Sequence, residues 1–264
     1  MDYNERDRID KVASQFWSSF ADEVIYHNRF HPSHPLLLFL RDYLHTHVAH
    51  LGSGTILYRA RVIDYDKQDA ENTGIVKFIH NEEWGAFEGY DEKNSYVPPA
   101  VVVSAGRANP ERIVYLYAAK EIITAIGETR PRIFDHISVA KIQLLKDIKL
   151  ADFTHVTYSD EMTEEQAKIN QIIHAFSRPC KDAVDYIPTQ FIAEYVKTLG
   201  FDGIAFNSSF VPGGTNLTIF FPDVAKAIAS APYRMDSIIY RARRIAPLKY
   251  LDAFDIIATN ENDT

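Results

Sequence analysis

The hydrophobic period of this chain changes at Gly52-Ser53-Gly54, and that break constrains the fold more than any other feature. Before it, Ile9, Val12, Phe16, Phe20 and Val24 recur at helical spacing, and a second apolar run covers Leu36 to Leu44. Residues 5–50 therefore read as helical, punctuated by Pro32 and Pro35, with Pro35 suited to the first turn of the second helix. After the break, short β-rich runs appear at Thr55–Val62, Ile113–Tyr117, Ile133–Leu145, Gly203–Phe206, Leu217–Phe221 and Ile238–Arg244. Helical patterns at Ala118–Ile126, Thr163–Phe176 and Pro188–Leu199 interrupt them. The second of these opens on the capping-box pair Thr163 and Gln166, and the third stops at Gly200. Helices and strands do not alternate regularly, so an α+β fold is expected rather than a doubly wound parallel sheet. Asp64–Pro99, rich in Asp, Glu, Asn and Tyr, reads as a long surface excursion, and Asn260–Thr264 as a frayed end.

Composition narrows the class. A chain of 264 residues, 46% hydrophobic, can bury a full core. No apolar run approaches the roughly 18 residues of a membrane span, and Met1–Asp7 is too polar and acidic for a secretory signal. A cytoplasmic protein is expected. The net charge of -8 argues against a general nucleic-acid binder, which neutralises phosphates with basic surface. One cysteine, Cys180, permits neither an internal disulfide nor a thiolate zinc cluster. His45, His47 and His50, read on a helix, do not share a face with enough ligands, so no metal is expected. A Gly-x-Gly-x-x-Gly fingerprint and a Walker loop are both lacking.

Three separated cassettes carry the chemistry: Arg59 in Leu57-Tyr58-Arg59-Ala60-Arg61, Glu128 in Gly127-Glu128-Thr129-Arg130-Pro131, and Ser208 in Phe206-Asn207-Ser208-Ser209. Strand alternation places Arg59 and Arg61 on one face, where one arginine lines a pocket while the other caps its rim, or both are simply solvated. The same four residues recur as Tyr240-Arg241-Ala242-Arg243, too short a match to establish a repeat fold. Pro131 disfavours helix at Arg130, so Glu128 is expected near a helix C-terminus. That is a poor place for a carboxylate unless a cation or a function holds it there. Gly106-Arg107-Ala108-Asn109-Pro110 reads as a tight loop presenting Arg107 and Asn109. Ser208 lacks the Gly-x-Ser-x-Gly elbow of a hydrolase nucleophile and is read as a hydrogen-bonding serine. Its neighbour Ser209 leaves that register open by one residue.

These stretches resemble the RES-domain family, named for its arginine, glutamate and serine. The matching residues are Leu57-Tyr58-Arg59, Gly106–Pro110 through Tyr117, Thr124–Glu128, Asp202-Gly203-Ile204 through Ser208, and Asn216-Leu217 with Phe220. The resemblance implies an ADP-ribosyltransferase-like fold with mixed or antiparallel sheets, to which the helical pattern before Gly54 adds an N-terminal extension that a compact family member lacks. Pattern and resemblance together divide the chain into a helical extension over 1–53, a RES domain over 54–250 and a C-terminal tail over 251–264, the matching stretches themselves covering roughly 54–222. The resemblance further implies an enzyme that consumes NAD as substrate, without a true cofactor, and acts as a toxin or phage-defence effector. An Xre-type helix-turn-helix antitoxin is the implied partner, and a homo-oligomer is possible; membrane and direct nucleic-acid partners are not expected. By position, Glu128, Arg59 and Ser208 become the expected catalytic residues, and Arg107, Tyr117, Arg61 and Asn216 the expected NAD-binding ones.

The side chains suit that chemistry on their own terms. Nicotinamide leaves NAD as a neutral pyridine, so no leaving-group acid is needed and a single carboxylate can serve. Glu128 would stabilise the oxocarbenium-like transition state, the arginines would fork onto phosphate or ribose oxygens, and Tyr117 would stack on a ring. The expected reaction is hydrolysis at the nicotinamide–ribose bond. The alternatives are ADP-ribose transfer to a protein and a non-catalytic interaction module that kept the fold.

Overall fold

A computed structural model describes residues 3–63, 75–79, 86–157, 159, 161–178 and 182–239. Cys180, the second Tyr-Arg-Ala-Arg segment at 240–243 and the expected tail at 251–264 lie outside the described residues.

The N-terminal pattern folds as two helices, α1 (Tyr3–Asp22) and α2 (Leu36–Leu44), with a wider turn of π-type helix over Glu23–His27 extending the first. The helical reading of residues 5–50 runs too far, because Val48–Leu51 is a short strand, β1. Its edge position explains the difference. β1 hydrogen-bonds along β7 (Ile148–Phe153), and that pairing, rather than local propensity, decides its conformation.

The remaining strands are β2 (Ile56–Val62), β3 (Ile75–Ile79), β4 (Ala86–Tyr90), β5 (Leu116–Ala119), β6 (His136–Leu144), β8 (Gly203–Asn207), β9 (Thr215–Ile219) and β10 (Ala225–Arg234). Eight of them form one mixed sheet in the order β1-β7-β8-β9-β5-β2-β6-β10, and β3 with β4 forms a separate hairpin. Among the described strands only β7 and β8 run parallel; their crossover carries α5 (Glu164–Ser177) and α6 (Ile187–Thr198). The fold is α+β, as the irregular alternation predicts.

Several boundaries move. Ala118 and Ala119 complete β5, and the helix after them, α4, spans Ile122–Glu128. β10, at Ala225–Arg234, lies before the expected strand over Ile238–Arg244; of that strand, Ile238 and Ile239 are outside any strand and 240–244 lie outside the described residues. The Asp64–Pro99 excursion includes structure: the β3–β4 hairpin and a short helix, α3 (Glu92–Ser95), are ordered within it. Tyr90 and Ser95 are buried, so the end of this segment packs on the sheet instead of crossing open surface. The capping box at Thr163 and Gln166 forms as expected.

One sheet face is covered by helices. Phe20, Val24, Leu36, Leu40 and Leu44 from the N-terminal helices share a continuous buried cluster with Ile172, Phe176, Ile192 and Val196 from α5 and α6, and with Phe153 and Phe206 of the sheet. Leu57, Leu116, Ile142, Leu150 and Leu217 fill the opposite face. The alternation along β9 shows how one strand serves both sides. Leu217 and Ile219 enter the second cluster, while Phe220, the residue just past the strand, belongs to the first.

Candidate active site

The sheet is weakest where β2 meets β5. These strands are joined by a single residue pair, Tyr58 opposite Ala119, whereas β5 and β9 pair over four positions. A cleft of about 280 Å³ opens at this junction. β2 supplies Tyr58, Arg59 and Ala60 to its wall; β5 supplies Tyr117, Ala118 and Ala119; α4 supplies Ala125 and Glu128. Arg107, Thr129, Tyr186, Phe206, Asn216 and Leu217 complete it.

Glu128 is the last residue of α4, as the following proline predicts. It is held there by two neutral donors and not by a cation. The Ser208 hydroxyl donates to Glu128 Oε1 at 2.7 Å, and the Asn216 amide donates to the same oxygen at 2.6 Å. Ser208 Oγ in turn accepts from the backbone N–H groups of Phe210 and Val211, each at 3.1 Å. With both acceptor positions used by the loop, its proton is directed at the carboxylate, which is the geometry of an orienting group and not of a nucleophile. Ser209 is exposed and makes no comparable contact among the described residues. Gly127 lets this loop approach: a Cβ there would sit 2.7 Å from Val211 Cγ2.

Arg59 is fixed by main-chain oxygens. Its Nε donates to Tyr96 O at 3.1 Å and its Nη1 to Tyr117 O at 3.2 Å. Burial, followed by repulsion from Arg61, lowers its pKa to about 10, so it remains cationic at neutral pH. Tyr96, one of the anchors and the residue after α3, shares its single hydroxyl proton between Pro222 O and Ala225 O, tying the end of α3 to the start of β10. Arg59 and Glu128 enter no ion pair among the described residues.

Arg107 reaches the cleft from the Gly106–Pro110 loop. Its guanidinium donates to Phe176 O and, at 3.2 Å, to Arg178 O, so it caps the end of α5 while lying 5.6 Å from the Phe206 ring centre. Cations are favoured at a helix C-terminus, which makes this a stable seat for the charge. Tyr117 lines the cleft and shapes the same loop: its hydroxyl donates to Asn109 Oδ1 at 2.7 Å and accepts from Ala108 N at 3.0 Å. Burial pushes its phenol up to about 12, so it stays neutral. Gly106 is required by this packing, since a Cβ would lie 2.5 Å from Asn109 Oδ1 and 3.0 Å from the Tyr117 hydroxyl.

The structure thus gathers Arg59, Arg107, Tyr117, Glu128 and Asn216 around one cleft, with Ser208 behind the carboxylate. Arg61 is not among the lining residues. Its Nη1 donates to Asn94 O and its guanidinium lies 4.2 Å from the Tyr90 ring centre, because α3 lies against that end of β2. Tyr58, Thr129 and Tyr186 were not singled out by sequence. Tyr58 and Thr129 adjoin recognised residues in the chain, whereas Tyr186 gives no local signal. Among the described residues, no three His, Cys, Asp or Glu side chains are grouped to hold a metal, and no helix is long and apolar enough to cross a membrane.

A family model described as RES domain matches residues 78–240. Among solved structures, the chain is similar to one titled as the crystal structure of the M. tuberculosis MbcT-MbcA toxin-antitoxin complex. That similarity has 12% sequence identity and a TM-score of 0.40, covering 74% of this chain and 92% of the other. No curated protein matches the sequence.

Proposed function

The chain belongs to the RES-domain family, and from that premise and the charges gathered in the cleft we propose that it cleaves the nicotinamide–ribose bond of NAD with water as acceptor. The observation that carries this reading is a carboxylate aimed by Ser208 and Asn216 into a cleft that also presents Arg59 and Arg107. Glu128 and Arg59, which enter no ion pair among the described residues, share the cleft with the guanidinium of Arg107, a set that suits a substrate carrying a pyrophosphate next to a positively charged glycosidic bond.

In this mechanism Arg59 and Arg107 hold the pyrophosphate, and the tyrosine-lined part of the cleft takes the nicotinamide ribose. The bond from the ribose anomeric carbon to the ring nitrogen breaks, and its electron pair leaves with nicotinamide, which departs neutral. Glu128 stabilises the positive charge that develops on the sugar. Water then adds to the anomeric carbon and gives up a proton, leaving ADP-ribose and nicotinamide. Tyr117 contributes as a neutral wall, and Ser208 acts through Glu128.

The test is to incubate the purified chain with NAD and follow nicotinamide and free ADP-ribose, with and without lysate protein. Equal release of both products supports hydrolysis. Nicotinamide release with ADP-ribose attached to protein would replace hydrolysis by transfer, and no nicotinamide in either condition would overturn both. The family resemblance extends the proposal to a growth-arresting toxin or phage-defence effector restrained by an Xre-type helix-turn-helix protein. Induced expression tests this: growth should stop with the wild type and continue with Glu128→Gln.

A further inference from the structure

Glu128 is held by two donors of different mechanical origin. Ser208 follows β8 and stands at the start of the loop that returns to β9, and its orientation depends on the backbone of Phe210 and Val211. Asn216 sits within β9, opposite Ala119 of β5 on one side and Phe206 of β8 on the other. It is 5% exposed. A strand hydrogen-bonded on both edges cannot shift one residue without breaking both ladders, so the Asn216 amide is the fixed member of the pair.

Both donors address Oε1, and among the described residues Oε2 accepts no hydrogen bond. The carboxylate is thereby made directional, with one oxygen anchored and the other left for the reacting sugar. From this we infer that Asn216 is a positioning residue that acts through Glu128 and is not primarily an NAD ligand. The inference rests on the proposed NAD cleavage for its kinetic consequences, while the contact itself can be measured without substrate.

The purified full chain, Asn216→Ala and Asn216→Asp are compared in steady-state nicotinamide release over a range of pH. A hydrogen bond to a charged group that is felt in the transition state corresponds to roughly a 10- to 100-fold effect. Asn216→Ala should therefore lower kcat by about that factor while KM stays within about twofold. Asn216→Asp keeps the shape but sets a second carboxylate against Glu128, so it should fall below the alanine variant at neutral pH. As pH falls and the introduced carboxyl takes up a proton, its O–H becomes a donor to Oε1 and activity relative to Asn216→Ala should rise. A change in KM alone, or a ratio of the two variants that is flat with pH, would overturn the inference.

A urea-unfolding cycle of Asn216→Ala, Glu128→Ala and the double variant reads the contact independently of activity. Non-additive losses support the pairing, and additive ones overturn it. A wild type that releases no nicotinamide but shows this coupling would remove the NAD reading and leave the positioning contact standing.

Discussion

The two charged sides of the cleft are built by different means. On the cationic side, Arg59 and Arg107 are held by the main-chain oxygens of Tyr96, Tyr117, Phe176 and Arg178. On the anionic side, Glu128 is held by the side chains of Ser208 and Asn216. A carbonyl acceptor belongs to the fold and survives a change of side chain, whereas a hydroxyl and an amide belong to particular residues. The cations are therefore placed by topology and the anion by residue identity. The hydrogen-bond partners of Arg59 and Glu128 are neutral, and neither enters an ion pair among the described residues, so these two keep their charge for a ligand.

The anionic side should show the largest effects. In Glu128→Gln both hydrogen bonds to the side-chain carbonyl survive, but the charge that stabilises the sugar cation is lost. Nicotinamide release should fall by roughly 100- to 1,000-fold, the scale of removing one preorganised electrostatic group, with little change in the urea midpoint. Unaltered turnover would show that the two sides do not divide the work as described.

On the cationic side, Arg59→Lys tests whether geometry or charge matters. A lysine keeps the charge but replaces a planar fork by a point donor that cannot span the oxygens of Tyr96 and Tyr117 together. A fall of about 10-fold or more in kcat/KM, with KM rising, is expected. Full activity would mean that a positive charge suffices. A weaker perturbation of the same side is Gly106→Ala, which pushes a methyl into Asn109 and the Tyr117 hydroxyl. It should lower stability by about 1–3 kcal/mol, the usual scale of overpacking, and weaken NAD binding as Arg107 shifts; both follow from a denaturation curve and a titration.

The smallest expected effect lies away from both sides. His34 accepts the Leu36 N–H on Nδ1 at 3.1 Å, and Nε2 lies 3.0 Å from Ser19 Oγ, between the rings of Phe16 and Phe20. Burial lowers its pKa below 6.5, against an opposing pull from Glu23. The unfolded chain therefore takes up the proton more readily, and stability is lost as pH falls from about 6.5 through the lowered folded value. The melting temperature of His34→Asn should drop less than that of the wild type between pH 7.5 and 5.5, with the arginine and glutamate effects on NAD unchanged. An equal drop in both would remove His34 from the account.

The same contrast explains what could be read in the sequence. Glu128, Ser208 and Asn216 were named by their motifs, as expected catalytic and NAD-binding residues and not as one another's partners. The anchors of Arg59 and Arg107 were not, since a backbone oxygen carries no residue name. Arg61 shares its strand face with Arg59, yet α3 occupies that end of β2, and only tertiary packing could reveal it. Likewise β1, β7 and β10 escaped the pattern. β1 is four residues long, β7 buries apolar residues on both faces but mixes Lys149 and Asp152 among them, and β10 is an edge strand rich in small residues that includes Pro232. Long periodic helices such as α1 and α5 needed no such context.

The division of labour between the two sides is tested most directly by equilibrium titration of NAD into Glu128→Gln, with nicotinamide followed in the same samples. This variant should bind NAD with a Kd within a few-fold of the wild-type KM and release almost no nicotinamide, because the arginine side that holds the dinucleotide is untouched. Turnover at the wild-type rate would contradict it, and so would loss of NAD binding by a folded variant.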